Sequence, residues 1–549
     1  MKKLLTVSFF SILILLQSQF ISVGCTNFLI SKGASKDGSC MITYAADSHT
    51  LYGELYFWPA KDYPEGTWLD IYEWDTGKYM GKIKQVTHTY SVIGNMNEFQ
   101  LAIAETTYGG RDELVNPEGI MDYGSLIYIT LQRAKTAREA IKIMAELVKE
   151  YGYASSGESF SISDPNEVWI MDMIGKGPGN KSANWVARRI PDGYISGHAN
   201  ASRIRQFPLN DPNNCLYEKD IITFAQSKGY FGKDRKRTDF SFVDAYAPTD
   251  FHTMRFCEAR VWAGFRKVNS KMDAYQDYAT GANANNPMPL WVKPDQKISL
   301  QDVMNMMRDH YEGTVLDMTK DVGAGPFKNP YRWRPLTWKV NDVEYCNERA
   351  IATQQTGFSF VAQSRKAYPD AIGGILWFGV DDASSSVYTP MYCSITKVPE
   401  AFAVGNGSMM EYSPKAAFWV FNQVSNFAYT RYDIIHPEIQ KAQQELENYY
   451  INLSSETDKK ANELYNKSKQ DAIKYLTDFS VEQGQNTLKK WQDLYVYLFT
   501  KYMDGNIKTK KEVPANYKYI APELSQPGYD LEWKKAVIEQ TGDHLKVKH

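Results

Sequence analysis

The chain has 549 residues and a net charge of −2, with 62 Lys and Arg against 64 Asp and Glu. That length is ample for one large domain with additions or for two or three domains. The balanced charge gives no indication of a nucleic-acid or anionic-membrane partner, and neither is expected. Aromatic residues are abundant (37 Tyr, 25 Phe and 13 Trp) but spread along the whole chain, which favours a well-filled core over a glycan-binding cleft.

Residues 1–24 have the pattern of a removable secretion signal. Two lysines precede an apolar run over residues 4–16, which is shorter than the roughly 20 residues that span a bilayer. Small residues, Ser22 and Gly24, close the segment. We therefore expect export to a periplasmic or secreted location and cleavage before Cys25, which would make that cysteine the first residue of the mature protein.

The stretch after Cys25 predicts a β-hairpin. Residues 26–31 and 39–44 are short, apolar-rich and strand-like, and an Asp-Gly pair between them is a strong tight-turn signal. The second strand runs towards Asp47. We therefore expect Asp47 to return to the start of the mature chain.

A helix and a group of strands are predicted next. Thr136 and Glu139 form a capping-box pair, and apolar residues follow at helical spacing. Short turns separate the strands that come after it, and such turns predict antiparallel pairing of consecutive strands. These strands cover residues 159–163, 168–172, 185–189 and 194–198.

The second half of the chain divides by composition. Residues 205–295 are rich in Asp, Asn, Pro and Tyr, which predicts an irregular insertion over the core, and Ser299 caps a helix to about residue 311. Late strands are predicted at 373–380 and 386–390, and residues 437–503 are charged and helix-forming. The predicted organisation is a signal peptide at 1–24, a catalytic domain at 25–430 and a helical C-terminal extension with a tail at 431–549.

A cysteine at the start of a mature chain combines a nucleophile and a base. A thiol attacks a carbonyl as thiolate or with a base beside it. Free cysteine has a pKa of about 8.5 and an α-amino group one of about 7.7–8.0, so the Cys25 amine can accept the thiol proton without a His partner. Such a site also needs donors for the oxyanion and a polar group that holds the amine.

Several blocks of the sequence resemble one enzyme family. They match, in order, the N-terminal-nucleophile cysteine dipeptidases of the dipeptidase A and secernin group, which are related to penicillin V acylase and bile salt hydrolases. The resemblance covers roughly residues 25–500. The matching blocks are Cys25-Thr26 with residues 34–39 and Asp47-Ser48, then residues 96–98 with 101–103, 163–169, 185–189 and 384–390.

The resemblance implies an α+β fold, a four-layer αββα sandwich, and amide-bond cleavage through a thioester on Cys25. By position, Asp47 matches the aspartate that orients the amine. Asn200 falls near the asparagine that donates to the oxyanion, and Thr107 falls where relatives contribute a second donor. The implied substrate is a dipeptide or a short peptide.

One position departs from that family. Relatives usually carry Arg three residues before the aspartate, and here that residue is Tyr44. Either another arginine supplies the charge, with Arg203 as the candidate, or the thiol is activated differently. Tyr44 and Arg203 are therefore predicted to bind substrate.

Two other functions are compatible with the sequence. The first alternative is a hydrolase of N-acyl amides, such as acyl amino acids or conjugated bile acids. The second is a non-enzymatic, lipidated glycan-binding surface protein held on a membrane, although Ser22 is smaller than the residue that lipidation signals usually have. Neither His-Glu-x-x-His nor a paired Cys-x-x-Cys is present, so no metal and no cofactor are expected.

His198, the cysteines and the oligomeric state are not assigned a role in the reaction. His198 is a lone histidine beside a strand, and such residues are usually structural. Without Cys25 the chain has five cysteines, an odd number, so at least one stays unpaired within the chain. A homo-oligomer is left open.

Overall fold

The computed structural model describes residues 24–548, so the predicted signal segment lies outside the described residues except for Gly24. Its strands, numbered in chain order, form two large sheets and four smaller pairs. The seven-stranded sheet contains β1 Asn27–Ile30, β2 Cys40–Asp47, β14 Ile195–His198, β16 Trp291–Val292, β19 Thr356–Ser364, β20 Gly374–Val380 and β21 Thr389–Tyr392. The eight-stranded sheet contains β3 Phe57–Trp58, β8 Val92–Ile93, β9 Met96–Asn97, β10 Ala102–Tyr108, β11 Gly157–Ser163, β12 Val168–Gly175, β13 Ala183–Arg189 and β15 Cys215–Tyr217. The smaller pairs are β4 Lys61–Asp62 with β7 His88–Thr89, β5 Trp68–Tyr72 with β6 Tyr79–Lys84, β17 Thr337–Val340 with β18 Val343–Cys346, and β22 Ile507–Thr509 with β23 Glu523–Ser525.

Twelve α-helices occur within residues 24–548. They are α1 Tyr123–Leu131, α2 Ala137–Tyr151, α3 Ile221–Ser227, α4 Phe242–Tyr246, α5 Ala259–Arg266, α6 Gln276–Ala279, α7 Leu300–Met306, α8 Asp370–Gly373, α9 Ala417–Tyr429, α10 Tyr432–Tyr465, α11 Lys469–Tyr502 and α12 Leu531–Thr541. In this part of the chain, we find no helix whose length and apolar character would let it cross a bilayer.

The seven-stranded sheet carries the start of the described chain near its centre. Its strand order is β16-β14-β1-β2-β19-β20-β21, and all neighbours are antiparallel. Leu29 lies opposite Ile42, so the predicted hairpin of β1 and β2 is confirmed. Along its other edge β2 pairs with β19 from Cys40 to Asp47. The strand that ends at Asp47 is therefore held on both sides.

The eight-stranded sheet has the order β15-β13-β12-β11-β10-β9-β8-β3, again antiparallel throughout. Alternate residues of a strand point to opposite faces. In β10, Ala102 and Ala104 belong to the larger buried core, whereas Ile103 belongs to a second core that includes residues of α1 and α2. Both faces of this sheet are thus covered by apolar contacts.

The two sheets contact each other, and each also contacts helices. Strands β1 and β2 touch β10, β11 and β12, which places the inner faces of the sheets together. Helices α1 and α2 contact the eight-stranded sheet, while α9, α10 and α11 contact β20 and β21 of the other sheet. The protein is therefore a mixed α/β structure of antiparallel sheets with a helical C-terminal region.

Local signals in the sequence locate several elements well. Thr136 accepts a hydrogen bond from the Glu139 backbone N–H at the start of α2, and Ser299 forms a complete capping box with Asp302 at α7. Helix α7 ends at Met306, earlier than predicted. The charged segment from residue 437 to 503 is helical, as predicted, and forms most of α10 and α11.

One predicted pairing is wrong. Consecutive strands were expected to pair, but β14 does not pair with β13 and instead pairs with β1, with His198 opposite Asn27. The free edge of β13 is taken by β15, whose Leu216 lies opposite Ala187. The turn at residues 191–193 therefore carries the chain from one sheet to the other. The predicted insertion at 205–295 also supplies β15 and β16, one strand to each sheet.

Candidate active site

Cys25 lies just before β1 and is fixed by backbone hydrogen bonds on both sides. The Gly24 N–H donates to the Asp47 carbonyl at 2.9 Å, and the Thr26 N–H donates to the Ala45 carbonyl at 3.3 Å. These bonds extend the antiparallel pairing with β2 beyond the N-terminal end of β1, as far as Gly24. The prediction that β2 brings Asp47 back to the neighbourhood of Cys25 is confirmed.

The Cys25 thiol faces a cavity of about 550 Å³, although only 1% of the residue is exposed to solvent. Its Sγ lies 3.9 Å from the Tyr44 hydroxyl and 3.8 Å from Glu105 Oε1. Burial, followed by the charges of Glu105 and Asp47, raises the thiol pKa well above its usual value. The thiol is therefore protonated at neutral pH, and attack on a carbonyl requires a proton acceptor beside it.

Tyr44, the residue at the departing position, belongs to a buried chain of polar groups. Its hydroxyl donates to Glu105 Oε1. On the other side of Glu105, the Thr107 hydroxyl donates to Glu158 Oε1 at 3.0 Å. Burial raises the pKa of Glu105, and burial together with the charge of Glu105 raises the pKa of Glu158 well above its usual range. Burial and the neighbouring carboxylate thus both favour the protonated form of Glu158.

Asp47 is fully buried and is bound by two donors. Arg349 Nη2 donates to its Oδ2 at 2.5 Å, and the Thr356 hydroxyl donates to its Oδ1 at 2.6 Å. Burial raises the pKa of this carboxyl, while the Arg349 charge opposes the rise. The carboxylate therefore has a fixed orientation at the end of β2.

Two buried arginines contact the backbone on either side of Cys25. Arg349 Nη2 donates to the Gly24 carbonyl at 2.5 Å, and Arg260 Nη1 donates to the Cys25 carbonyl at the same distance. Arg260 also donates to Thr26 Oγ1 at 2.9 Å. Positive charge thus lies against the peptide groups that flank the cysteine.

Asn200 and Thr107, both predicted to serve the oxyanion, are brought together. Asn200 Nδ2 donates to the Thr107 carbonyl at 2.6 Å, and Asn200 Oδ1 accepts from Arg260 Nη2 at 2.8 Å. Asn200 has φ 56°, a left-handed conformation that asparagine tolerates better than most residues. Through Arg260, Asn200 is linked to the Cys25 carbonyl.

The cavity wall is aromatic on one side and acidic on another. The Trp74 ring lies with its centroid 4.9 Å from that of Tyr56 and 4.6 Å from that of Tyr128. Asp75 accepts a hydrogen bond of 2.8 Å from the Tyr123 hydroxyl. Of the residues described, the ones that line this cavity include Asp47, Asp75 and Glu105 but neither Lys nor Arg.

Comparison with known proteins decides the family. The model of peptidase family C69 matches residues 55–445, which is more than half of the chain. The chain belongs to peptidase family C69. The matched segment begins after Cys25 and Asp47 but contains Glu105, Asn200 and Arg349.

Curated relatives of this C69 peptidase carry dipeptidase names. A probable dipeptidase from Latilactobacillus sakei is 23% identical over 493 residues, which cover 87% of this chain and 95% of the relative. A probable dipeptidase from Salmonella dublin is 26% identical over 393 residues, covering 67% and 81%. A probable dipeptidase B from Streptococcus pyogenes serotype M1 is 22% identical over 542 residues, covering 94% and 98%.

Arg203 is not at the C69 cavity. Its Nε lies 2.8 Å from Glu258 Oε1, and its Nη1 donates to the Gly197 carbonyl at 2.9 Å. Only 6% of the residue is exposed. The structure therefore gives Arg203 an ion-paired position within the fold, and it is Arg349 and Arg260 that bring charge to the Cys25 backbone.

Three residues of this C69 site escaped the sequence analysis: Glu105, Arg260 and Arg349. Arg260 lies in α5, inside the segment that was predicted to be an irregular cover. Arg349 follows the β17–β18 hairpin in a stretch without regular structure, where no motif marks it. Glu105 lies in β10, two residues before Thr107, and an acidic residue directly after the apolar residues 101–104 was the one available signal.

Proposed function

We propose that this peptidase is a cysteine-type N-terminal-nucleophile dipeptidase whose Cys25 becomes the first residue after residues 1–24 are removed. The single observation that carries the proposal is the position of the Cys25 thiol at the wall of a cavity that Asp47 also lines. The names of the curated relatives support dipeptides as the substrate class. The expected location is periplasmic or secreted.

The same proposal includes the finer fold assignment. We assign the two facing sheets and the helices on their outer sides to the four-layer αββα sandwich of N-terminal-nucleophile hydrolases. The contacts of β1 and β2 with β10, β11 and β12 support two inner layers of sheet. The contacts of α1 and α2 with one sheet, and of α10 and α11 with the other, support two outer layers of helix.

The proposed reaction begins with proton transfer from the thiol to the Cys25 amine that cleavage creates. Sγ then forms a bond to the substrate carbonyl carbon, and the oxyanion is held by Asn200 and the Thr107 region. The amine gives its proton to the leaving nitrogen as the C–N bond breaks, which leaves a thioester. Water transfers a proton to the amine, its oxygen attacks the thioester, and the thiol is regenerated with that proton.

Asp47 and the arginines prepare the surroundings of the reacting atoms. The raised thiol pKa requires a base, and Asp47 lines the same cavity as Cys25, whose amine would serve as that base. A carboxylate there stabilises the ammonium form that appears after proton transfer. Arg349 orients that carboxyl group and opposes the rise in its pKa that burial causes.

The test is a substitution in correctly processed protein. Cys25→Ala should abolish turnover of dipeptides, whereas Cys346→Ala, which changes a half-buried cysteine outside the cavity, should retain it. The intact mass of the mature protein should show an unmodified N-terminal cysteine. Peptidase activity that survives Cys25→Ala would refute the mechanism, and added acyl mass on Cys25 would support the lipidated alternative instead.

A further inference from the structure

The charged side chains in the described lining of the catalytic cavity are all acidic. Besides the ion-paired Asp47, its described lining carries the carboxyl groups of Asp75 and Glu105 and no basic side chain. Both carboxyl groups line the same cavity as the Cys25 thiol, and the charge of Asp75 adds to the effect of burial in raising the pKa of Glu105. A cation bound in this cavity would therefore be attracted by both carboxylates.

Tyr123 lines the same cavity and is bonded to Asp75. Its hydroxyl donates to Asp75 Oδ1, and the charges of both Glu105 and Asp75 add to burial in raising the Tyr123 pKa well above its usual value. A carboxylate has two oxygens, and the bond from Tyr123 uses one of those of Asp75. The second oxygen is a strong acceptor, and Asp75 belongs to a cavity wall that also includes the rings of Trp74, Tyr56 and Tyr128.

We propose that Asp75 and Glu105 bind the free α-ammonium group of the substrate and thereby select unblocked peptides over N-acylated amides. This rests on the proposed function, because it concerns the same cavity and the same scissile bond. The cavity is the site already described, and the proposal assigns the end of the substrate that enters it.

The distance between Glu105 and the Cys25 thiol fits this assignment. In an α-amino acid residue the nitrogen is two bonds, or about 2.5 Å, from the carbonyl carbon that Sγ attacks. Because Glu105 Oε1 lies 3.8 Å from Sγ, an ammonium so close to the reacting carbon falls within reach of that carboxylate. The ammonium charge also lowers the pKa of a neighbouring carboxyl group, so substrate binding itself favours ionised Asp75 and Glu105.

Charge complementarity separates this substrate from the N-acyl alternative. An acyl amide has no cation at that position, so in its complex Asp75 and Glu105 would be enclosed without a counter-charge, which is costly. The neighbouring rings of Trp74, Tyr56 and Tyr128 can contact a side chain or a cation, but they cannot replace a proton donor.

The test compares a dipeptide with its des-amino analogue, which differs only in lacking the ammonium group. The wild-type enzyme should cleave the dipeptide with a kcat/KM at least about tenfold higher, the range expected for a hydrogen bond to a charged group. Asp75→Asn should lower kcat/KM for the dipeptide by about tenfold or more and lower kcat/KM for the des-amino analogue by a much smaller factor. Asp75→Glu should restore part of the preference.

The matched control is Asp70→Asn, which neutralises a carboxylate that is about half exposed on β5 and lies outside the cavity. It should change neither substrate. A second readout needs no variant: the kcat/KM of the wild type for the dipeptide should fall above about pH 7.7–8.0, where an α-amino group loses its proton, relative to the analogue.

Two results would overturn the proposal. Comparable wild-type rates for the two substrates would do so, and so would an Asp75→Asn variant that loses both activities equally, which would show that these carboxylates serve the Cys25 amine. Failure of the proposed function looks different, because then Cys25→Ala would retain turnover or neither substrate would be cleaved. If Asp75→Asn fails to fold, the wild-type comparison still decides.

Discussion

Arg349 Nη2 donates a hydrogen bond of 2.5 Å to Asp47 Oδ2 and thereby joins two residues that are 302 positions apart. Both side chains are almost completely buried, and the same nitrogen also reaches the Gly24 carbonyl. One guanidinium therefore links the end of β2 to the peptide group that precedes the cysteine.

Removal of this guanidinium should destabilise the protein and impair catalysis. Arg349→Met leaves Asp47 buried without its counter-charge, so we expect a loss of about 3–5 kcal/mol in the free energy of unfolding and a large fall in kcat/KM. Urea unfolding measures the first effect, and Arg349→Lys should recover part of it. Arg205→Met, at the more exposed Arg205–Asp244 pair, is the control and should cost less than about 1 kcal/mol. An unfolding free energy of Arg349→Met within that range would contradict the prediction.

The Tyr44 hydroxyl should set the pH dependence of the thiol. Its hydrogen bonds lower the pKa of Glu105 and of Cys25, in both cases against a larger effect of burial. Tyr44→Phe should therefore move the acidic limb of the kcat/KM profile to higher pH and reduce kcat/KM at pH 7 by about tenfold. Tyr52→Phe, which removes a hydroxyl bonded to the Asn406 carbonyl outside the cavity, should leave the profile unchanged. Identical profiles for Tyr44→Phe and the wild type would count against this role.

His198 should make the protein sensitive to acid. It lies 2.7 Å from both Thr106 Oγ1 and Ser161 Oγ, and burial together with the Arg203 charge lowers its pKa to about 3. In the unfolded chain its pKa is about 6.5. The unfolded state therefore binds one more proton between these values, and up to about 5 kcal/mol of stability is lost as the pH falls from about 6.5 to about 3.

The measurement is urea unfolding at several pH values between 4 and 7. His198→Gln keeps a neutral polar group and should lose less stability than the wild type over this range, whatever its stability at pH 7. His252→Gln, at an exposed histidine, should follow the wild type. Parallel curves for His198→Gln and the wild type would show that the histidine is not the responsible group.

Glu158 should make the protein less stable as the pH rises above neutral. Burial and the charge of Glu105 raise its pKa well above the usual value, so the native state keeps a proton that the unfolded chain has lost. Stability therefore falls as the pH rises through the pKa of the folded state. Glu158→Gln is neutral and can still accept from Thr107, so its unfolding free energy should decline less between pH 6 and 9. Glu146→Gln, at an exposed glutamate on α2, should decline as the wild type does, and an equal decline for Glu158→Gln would refute the assignment.

The sequence predicts the parts of this site that local signals determine. The Asp-Gly turn predicts the β1–β2 hairpin, and the hairpin alone brings Asp47 back to Gly24. The capping residues Thr136 and Ser299 likewise mark the starts of their helices. In each case the partners belong to one hairpin or one helical turn, so their spacing in the chain is enough to predict the contact.

Contacts between distant segments could not be predicted in this way. Arg260 is 235 residues from Cys25 and Glu105 is 80, and no spacing rule relates such positions. Strand β19 was also missed, because its nine residues are all buried although Thr, Ser and Gln interrupt their apolar pattern. Arg203 was predicted to lie near Cys25, whereas the structure places Arg349 there. The reason is the same, because any segment that the fold brings near can supply a cation.

The pairing of β2 with β19 has a consequence for biosynthesis. Thr356, whose hydroxyl holds Asp47, lies 309 residues after it, so the strand that ends beside the cysteine must wait for its neighbour to be made. Contacts of such separation form late and slowly in folding. A nascent chain that has not reached residue 364 therefore lacks one whole side of the catalytic strand. We therefore expect the surroundings of Cys25 to be completed only in the last third of synthesis.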